Sequence, residues 1–140
     1  MTRKILFSAI AVAVGLLGCA GAGTKYASPC NGGVCNVSVT IADCAAKGGV
    51  AVDRDTISVR GSNNIEWDIV TPGYSFVNSS TQIGIVIQDF FKQFSQYHQT
   101  SKKVKVHDGN TDKGPVYYAV YVMKDDGTPC VPLDPWIFNE

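Results

Sequence analysis

Apolar and polar side chains alternate along short segments of this chain, first at residues 36–41, where Val37, Val39 and Ile41 alternate with polar neighbours. A period of two places successive side chains on opposite faces of a β-strand. Turn-forming residues, such as those at 61–64 and 71–73, separate these segments roughly every ten residues. The pattern predicts roughly seven to nine short strands, at residues 36–41, 50–52, 57–59, 65–69, 74–76, 83–87, 104–106, 116–123 and 136–138.

Such a series of strands predicts an all-β fold, namely an antiparallel β-sandwich of the immunoglobulin-like or cupredoxin-like kind with at most one short helix. That helix is predicted over residues 89–97, where four aromatic residues are spaced by three and four and are expected to close one end of the core. The turn residues at 61–64 predict the end of a strand, and those at 124–127 predict a hairpin.

The first nineteen residues have the layout of a secretory leader. Arg3 and Lys4 precede an apolar run at 5–17. Its 13 residues are fewer than the ~20 that span a bilayer. The segment 16–19, Leu-Leu-Gly-Cys, resembles the bacterial lipobox, which implies removal of residues 1–18 and acylation of Cys19. Ordinary secretory cleavage after Ala22, which would release a soluble protein, is the alternative.

The lipobox interpretation divides the chain into a signal peptide at 1–18, a lipidated N-terminus with a flexible tether at 19–34, and a β-sandwich domain at 35–140. Ala20 follows Cys19, where an inner-membrane retention signal in enteric-type bacteria usually has aspartate. The expected location is therefore the cell envelope, as an outer-membrane lipoprotein facing the periplasm or the cell surface. Secretion in soluble form is the alternative.

Charge and length restrict the function classes. Removal of residues 1–18 leaves 122 residues, the size of one domain, with 10 basic and 12 acidic side chains. A nearly balanced charge offers no basic field for nucleic acid, so no nucleic-acid partner is expected.

The cysteine count predicts disulfides. Besides Cys19 the chain has Cys30, Cys35, Cys44 and Cys130, and an even set in an oxidising compartment predicts two bonds, with three possible pairings. We favour Cys30–Cys35, which closes a loop with two glycines, and Cys44–Cys130, which ties the start of the domain to its end. A four-thiolate metal site is the alternative, but the spacing lacks the paired short intervals of zinc ribbons.

The sequence argues against a blue-copper site. Such a site needs two histidines and a cysteine, often with an axial methionine. His98 and His107 are the only histidines, and Met123 precedes Cys130 instead of following it. The two histidines are interpreted as a surface pair.

The loop 108–114 resembles the first half of an EF-hand, because Asp108, Asn110 and Asp112 present oxygen ligands at alternate positions. The glycine falls at the seventh position of the loop, and Ala119 stands where the bidentate glutamate belongs. The favoured interpretation is a plain hairpin loop with calcium as a weak candidate, so no metal and no cofactor are predicted.

No catalytic residue is predicted. The chain has no Gly-x-Ser-x-Gly motif, and its cysteines are assigned to the lipid and the disulfides. Glu66 and Asp68 are the nearest approach to a carboxylate pair. They alternate with apolar residues, which favours a solvated strand face.

The last third of the chain has an ending, Leu133-Asp-Pro-Trp-Ile, that follows a strand with the sequence Tyr118-Ala-Val-Tyr-Val. This ending resembles that of small bacterial β-sandwich proteins, including the DP-EP family. The resemblance implies a small β-sandwich without an assigned activity, and it supplies no catalytic residues.

These observations predict a non-enzymatic envelope lipoprotein whose sandwich is a binding or structural module, held at the membrane by its lipid and contacting an unidentified protein or envelope component. Tyr117, Tyr121 and Trp136 are the expected partner surface. The alternative is a small secreted hydrolase or carbohydrate-active protein, which a cleft with converging titratable groups would distinguish.

Overall fold

The computed structural model describes residues 29–140, and their fold is all-β, as the alternation predicted. The leader, Cys19 and the predicted tether up to residue 28 lie outside the described residues. The strands are β1 (Cys30–Ile41), β2 (Val50–Val52), β3 (Thr56–Ile69), β4 (Tyr74–Phe76), β5 (Ile85–Ile87), β6 (Phe94–Gln99), β7 (Lys103–Asp108), β8 (Gly114–Val120), β9 (Val122–Lys124) and β10 (Trp136–Asn139).

Strand β3 is shared by the two layers of the sandwich. One edge of β3 pairs with β1, whereas the other edge pairs first with β10 and then with β7. One layer continues from β10 through β8 to β5, and the other continues from β7 to β6. Strand β2 lies on the far edge of β1, and β4 pairs with β9 beside the end of β8.

Most pairings are antiparallel, as the predicted antiparallel sandwich requires, but two are parallel. β3 runs parallel to both β1 and β10. The chain reverses from β1 into β2 and then crosses to the opposite edge of β1. Because of that crossing, β3 takes the direction of β1. Alternation along a strand defines its faces but not the direction of its neighbours.

A β-bulge at Gly61 keeps β3 continuous where the turn residues at 61–64 predicted its end. The register passes from Asn31–Arg60 to Gly33–Asn63, so β3 has one extra residue there. Gly61 has φ +66°, a region that glycine enters without a Cβ penalty. The buried Asn63 side chain donates to the carbonyls of Arg60 and Gly61. The turn signal therefore marks a bend within one strand.

The helix predicted over residues 89–97 is wrong. The chain forms one 3₁₀ turn, Phe90–Lys92, and then enters β6. Pairing with β7 supplies the backbone hydrogen bonds of this segment and directs Phe94, 4% exposed, into the core. Phe91 is 95% exposed, so the aromatic residues do not form one core-facing stripe. Within residues 29–140, no helix is long and apolar enough to cross a bilayer.

The core lies between the two layers. Trp67 of β3 and Tyr118 of β8 are fully buried, and their ring centroids are 5.3 Å apart. Phe76 of β4 and the inward residues of the remaining strands fill the space around them. Complete burial of one such side chain stabilises the fold by about 1.5–3 kcal/mol.

Both predicted disulfides are present, Cys30–Cys35 and Cys44–Cys130. The glycines between Cys30 and Cys35 have φ +69° and +99°, as the tight loop requires. β1 begins at Cys30, so the sheet includes residues 30–34 of the predicted tether.

Candidate functional site

One outer face of the sandwich carries exposed aromatic side chains. Tyr118 and Val120 of β8 point into the core, so Tyr117 and Ala119 point outward. Register places Trp136 of β10 directly beside Tyr117, and the two rings are in contact. The pairing of β8 with β10 therefore creates an aromatic pair that is separated by nineteen residues in the sequence.

The pair belongs to a larger apolar surface, which we call the aromatic face. It consists of the outward residues Val86 of β5, Tyr117 and Ala119 of β8, and Trp136 and Phe138 of β10. Val86, Tyr117 and Phe138 are 41%, 49% and 43% exposed. A group of large apolar side chains on a sheet face is a feature of interaction surfaces.

Tyr121, the third predicted surface residue, occupies a different position. It lies at the break between β8 and β9, where its N–H donates to the carbonyl of Gly84 and its carbonyl accepts from Val77. Its side chain is half-buried. It follows Tyr117 by four positions, which along an extended chain corresponds to about 13 Å. The structure thus brings together Tyr117 and Trp136 and sets Tyr121 apart.

The opposite outer face is charged. Glu66 of β3 lies 3.1 Å from the Lys105 ammonium and 3.4 Å from that of Lys103, and Asp68 lies 3.6 Å from Lys103. The hydrogen bond from Lys105 is the main reason why the pKa of Glu66 lies below its usual value. Glu66 and Asp68 are therefore the solvated strand face that the alternation indicated. The two outer faces of the sandwich differ sharply in chemistry.

The calcium-like loop does not gather its three candidate ligands. Asp108 is fully buried, and its Oδ1 accepts the Asn110 N–H at 2.8 Å. The Asn110 amide donates to the carbonyls of Val59 and Gly61, while its Oδ1 accepts from Lys113. Asp112 is exposed. The Asn110 side chain therefore hydrogen-bonds the bulge of β3.

Sequence reasoning missed a buried polar cluster around that bulge. Its members are Asn63, Asp108, Asn110 and Asn139, all of them buried. Asn63 of β3 is the register partner of Asp108, and Asn139 of β10 contacts the Asp108 carboxyl. The asparagines near the ends of these strands were the available signal in the sequence. They come together only because β3 passes from one layer of the sandwich to the other.

The two histidines have different surroundings. His107 of β7 is within 3.1 Å of both Asn64 Oδ1 and Ser62 Oγ, so each ring nitrogen has a protein partner. His98 is exposed on β6, where its register partner is Lys105. Among residues 29–140, no three His, Cys, Asp or Glu side chains are placed to hold a metal ion together.

A polar cleft of about 470 Å³ lies at one end of the sandwich. Its charged groups are Asp89 and Lys92 beside the 3₁₀ turn and Asp112 and Lys113 in the loop before β8. Neither histidine, serine nor cysteine lines it. The cleft can hydrogen-bond a solute, but its lining provides neither a strong nucleophile nor an imidazole base.

The chain matches no model of a known protein family, and no curated protein matches it.

Proposed function

We propose that this chain is a non-enzymatic binding module of the cell envelope, anchored through lipid on Cys19, whose partner docks on the aromatic face. The partner is a protein or another envelope component, and nucleic acid is not among the expected partners. The proposed location is the outer membrane, facing the periplasm or the cell surface. The small bacterial β-sandwich proteins that the chain's ending resembles are compatible with this role.

The contrast between the two outer faces supports this proposal most directly. Both faces belong to strands of one sandwich, yet one carries paired charges and the other carries Tyr117, Trp136 and Phe138. A sheet face that only meets water needs no such aromatic group. Tyr and Trp supply large apolar contact area at interfaces together with one polar atom.

The alternative function, a small secreted hydrolase or carbohydrate-active protein, would need a concave site, and the polar cleft is the candidate for it. Its lining of two carboxylates, two ammonium groups and no imidazole offers no Ser-His or Cys-His pair for acyl hydrolysis, so hydrolysis of a sugar bond would have to use the carboxylates.

The test is chemical cross-linking of the tagged native protein in membranes of its host, followed by identification of the cross-linked species. Replacement of both Tyr117 and Phe138 by Thr keeps strand-forming residues but removes the aromatic contacts. Asp68→Thr on the charged face is the matched control. We expect the cross-linked species to disappear with the double variant and to persist with Asp68→Thr. Persistence with the double variant would refute docking on this face.

A further inference from the structure

Arg54 packs against the disulfide at the start of β1. It lies in the connection between β2 and β3, and its side chain is 20% exposed. Its Nη1 lies 3.4 Å from the Cys30 sulfur and 3.6 Å from the Cys35 sulfur. One guanidinium group therefore contacts both atoms of the S–S bond.

The ion pair that this cation forms within the described residues is a long one. Asp53 is the carboxylate that approaches it within the described part of the chain, and its Oδ1 remains 3.9 Å from Arg54 Nε while accepting the Ser38 N–H at 3.1 Å. Nε is buried without a hydrogen-bond partner. Disulfide sulfurs are neutral, weak acceptors, so the positive charge is poorly compensated. A thiolate at the same place would compensate it.

The two sulfurs also differ in access. Cys30 is partly exposed near the end of the sheet, whereas Cys35 is 2% exposed. An external thiol therefore reaches Cys30 first. The other disulfide joins two buried cysteines, Cys44 and Cys130, and in the described structure no guanidinium or ammonium nitrogen lies within hydrogen-bonding distance of its sulfurs.

We propose that Cys30–Cys35 is a redox-active disulfide that exchanges with thiol-containing substrates and that Arg54 stabilises the departing Cys35 thiolate. The substrate thiolate attacks Cys30 Sγ, the S–S bond breaks, and its electron pair stays on Cys35 Sγ beside Arg54. A second substrate thiolate attacks the substrate sulfur of the mixed disulfide and releases the Cys30 thiolate. In total, two thiols become one disulfide, and Cys30 and Cys35 become reduced and take up the two protons.

General disulfide chemistry supports this assignment. Exchange is faster when the leaving thiolate is stabilised and the attacked sulfur is accessible. The bond closes a sequence separation of 5 residues, against 86 for Cys44–Cys130, so its reduction restores less chain entropy to the unfolded state. The fold can therefore persist while this bond is open. This proposal is independent of the aromatic face.

The experiment treats the oxidised, folded chain with dithiothreitol, a neutral thiol, at pH 7. Samples are quenched with acid, alkylated and mapped by mass spectrometry. Cys44–Cys130 is an internal control in the same molecule. We expect Cys30 and Cys35 to be labelled about tenfold faster or more than Cys44 and Cys130. Equal rates, or earlier reduction of Cys44–Cys130, would overturn the proposal.

The role of Arg54 is tested with Arg54→Met, with Arg54→Lys as the conservative variant and with Arg60→Met as a control at an exposed arginine paired with Glu140. We expect Arg54→Met to slow opening of Cys30–Cys35 about 3- to 10-fold and to leave Cys44–Cys130 unchanged, and Arg54→Lys to restore most of the rate. An unchanged rate, or equal changes in both bonds, contradicts the assignment.

A second readout separates charge stabilisation from packing. Cys30→Ser leaves Cys35 as a single thiol beside Arg54, and its alkylation by iodoacetamide is followed against pH. Adding Arg54→Met to this variant should raise the pH of half-maximal alkylation by about half a unit or more. If the midpoint does not rise, Arg54 does not stabilise the thiolate.

Discussion

Asp108 shows how a single residue can have a role that its sequence neighbourhood conceals. In the sequence it opens a loop of polar residues, but in the structure it is fully buried at the end of β7 beside Asn63 and Asn139. Burial is the main reason why its pKa lies above the usual value, and the hydrogen bond from the Asn110 N–H opposes that shift in part. Its Oδ2 has no hydrogen-bond partner in the described part of the chain.

Asp108 should make stability depend on pH in a defined direction. The pKa of Asp108 is higher in the folded protein than in the unfolded chain, where it is about 3.9. The contribution of Asp108 to the free energy of unfolding is therefore fully present below that pH, where the carboxyl is protonated in both states. It is lost as the pH rises through the pKa of the folded protein. Asp108→Asn removes the buried charge and keeps an acceptor for the Asn110 N–H. We expect this variant to be more stable than the wild type at pH 7, by about 1 kcal/mol or more, with the gain vanishing near pH 3.

Thermal unfolding of both proteins between pH 3 and pH 8 measures this difference. The comparison isolates Asp108 because the lowered pKa values of Glu66 and Glu140 affect both proteins alike. Asp112→Asn in the same loop is the control at an exposed carboxylate and should leave the profile unchanged. Parallel profiles for wild type and Asp108→Asn would refute the argument.

Among the elements, β3 organises the fold, because the bulge at Gly61 lets one strand serve both layers. Asn63 and Asn110 both donate to the Gly61 carbonyl, which replaces sheet hydrogen bonds that the extra residue interrupts. The β10 pairing ends at Val59 and the β7 pairing begins at Asn63. The bulge therefore determines where the aromatic face ends and where the other layer begins.

The bulge should be sensitive to loss of its glycine. No atom lies within 4 Å of a Cβ built on Gly61, so only its φ of +66° opposes a side chain. Gly61→Ala should destabilise the protein by about 1–2 kcal/mol through left-handed backbone strain. Chemical denaturation measures the change, and Ser62→Ala, next to it, should cost less. Equal effects of both substitutions would show that backbone conformation is not the cause.

At the scale of the whole molecule, the disulfides constrain the chain very differently. Cys44–Cys130 joins the end of the β1 region to the segment before β10, and the Val131 N–H donates to the Cys44 carbonyl at 2.9 Å beside it. Cys30–Cys35 closes a loop within β1. One bond connects distant parts of the domain, and the other affects one strand.

Removing each bond in turn should reveal this difference. In the chain-entropy account, the separation of 86 residues corresponds to about 4.6 kcal/mol and the separation of 5 to about 2 kcal/mol. The double variant Cys44→Ala/Cys130→Ala should therefore have a melting temperature further below the wild type than Cys30→Ser/Cys35→Ser. Calorimetry of the two double variants decides, and the reverse order would contradict the prediction.

The membrane anchor is tested on the whole protein in its host. Cys19→Ser should move the protein from the membrane fraction to the soluble fraction, because serine lacks the thiol that accepts the lipid. Fractionation followed by N-terminal mass analysis checks this. A wild-type protein that is already soluble and begins at Gly23 would show that ordinary secretory cleavage operates.

Local patterns in the sequence were sufficient for features that depend on neighbours along the chain. The period of two predicted the all-β class and the inward side of most strands, and cysteine parity predicted two disulfides, whose favoured pairing among the three possible ones is present in the structure. The alternation of Glu66 and Asp68 with apolar residues likewise identified the solvated strand face. The strand faces and the Cys30–Cys35 loop follow from side-chain direction or short-range chain geometry, which the order of residues alone defines, whereas Cys44–Cys130 followed from cysteine parity once Cys30 was paired with Cys35.

Only the tertiary structure decided the features that depend on which strands meet. Apolar and polar residues alternate in the same way along parallel and antiparallel strands. The alternation therefore does not predict the parallel pairing of β3 with β1 and β10. Residues 89–97 had helical spacing, but pairing with β7 made most of them a strand. The contact of Arg54 with Cys30 and Cys35 and the pairing of Tyr117 with Trp136 arise for the same physical reason. Residues distant in sequence become neighbours only when the strand order is formed, and strand order is a property of the whole packed chain.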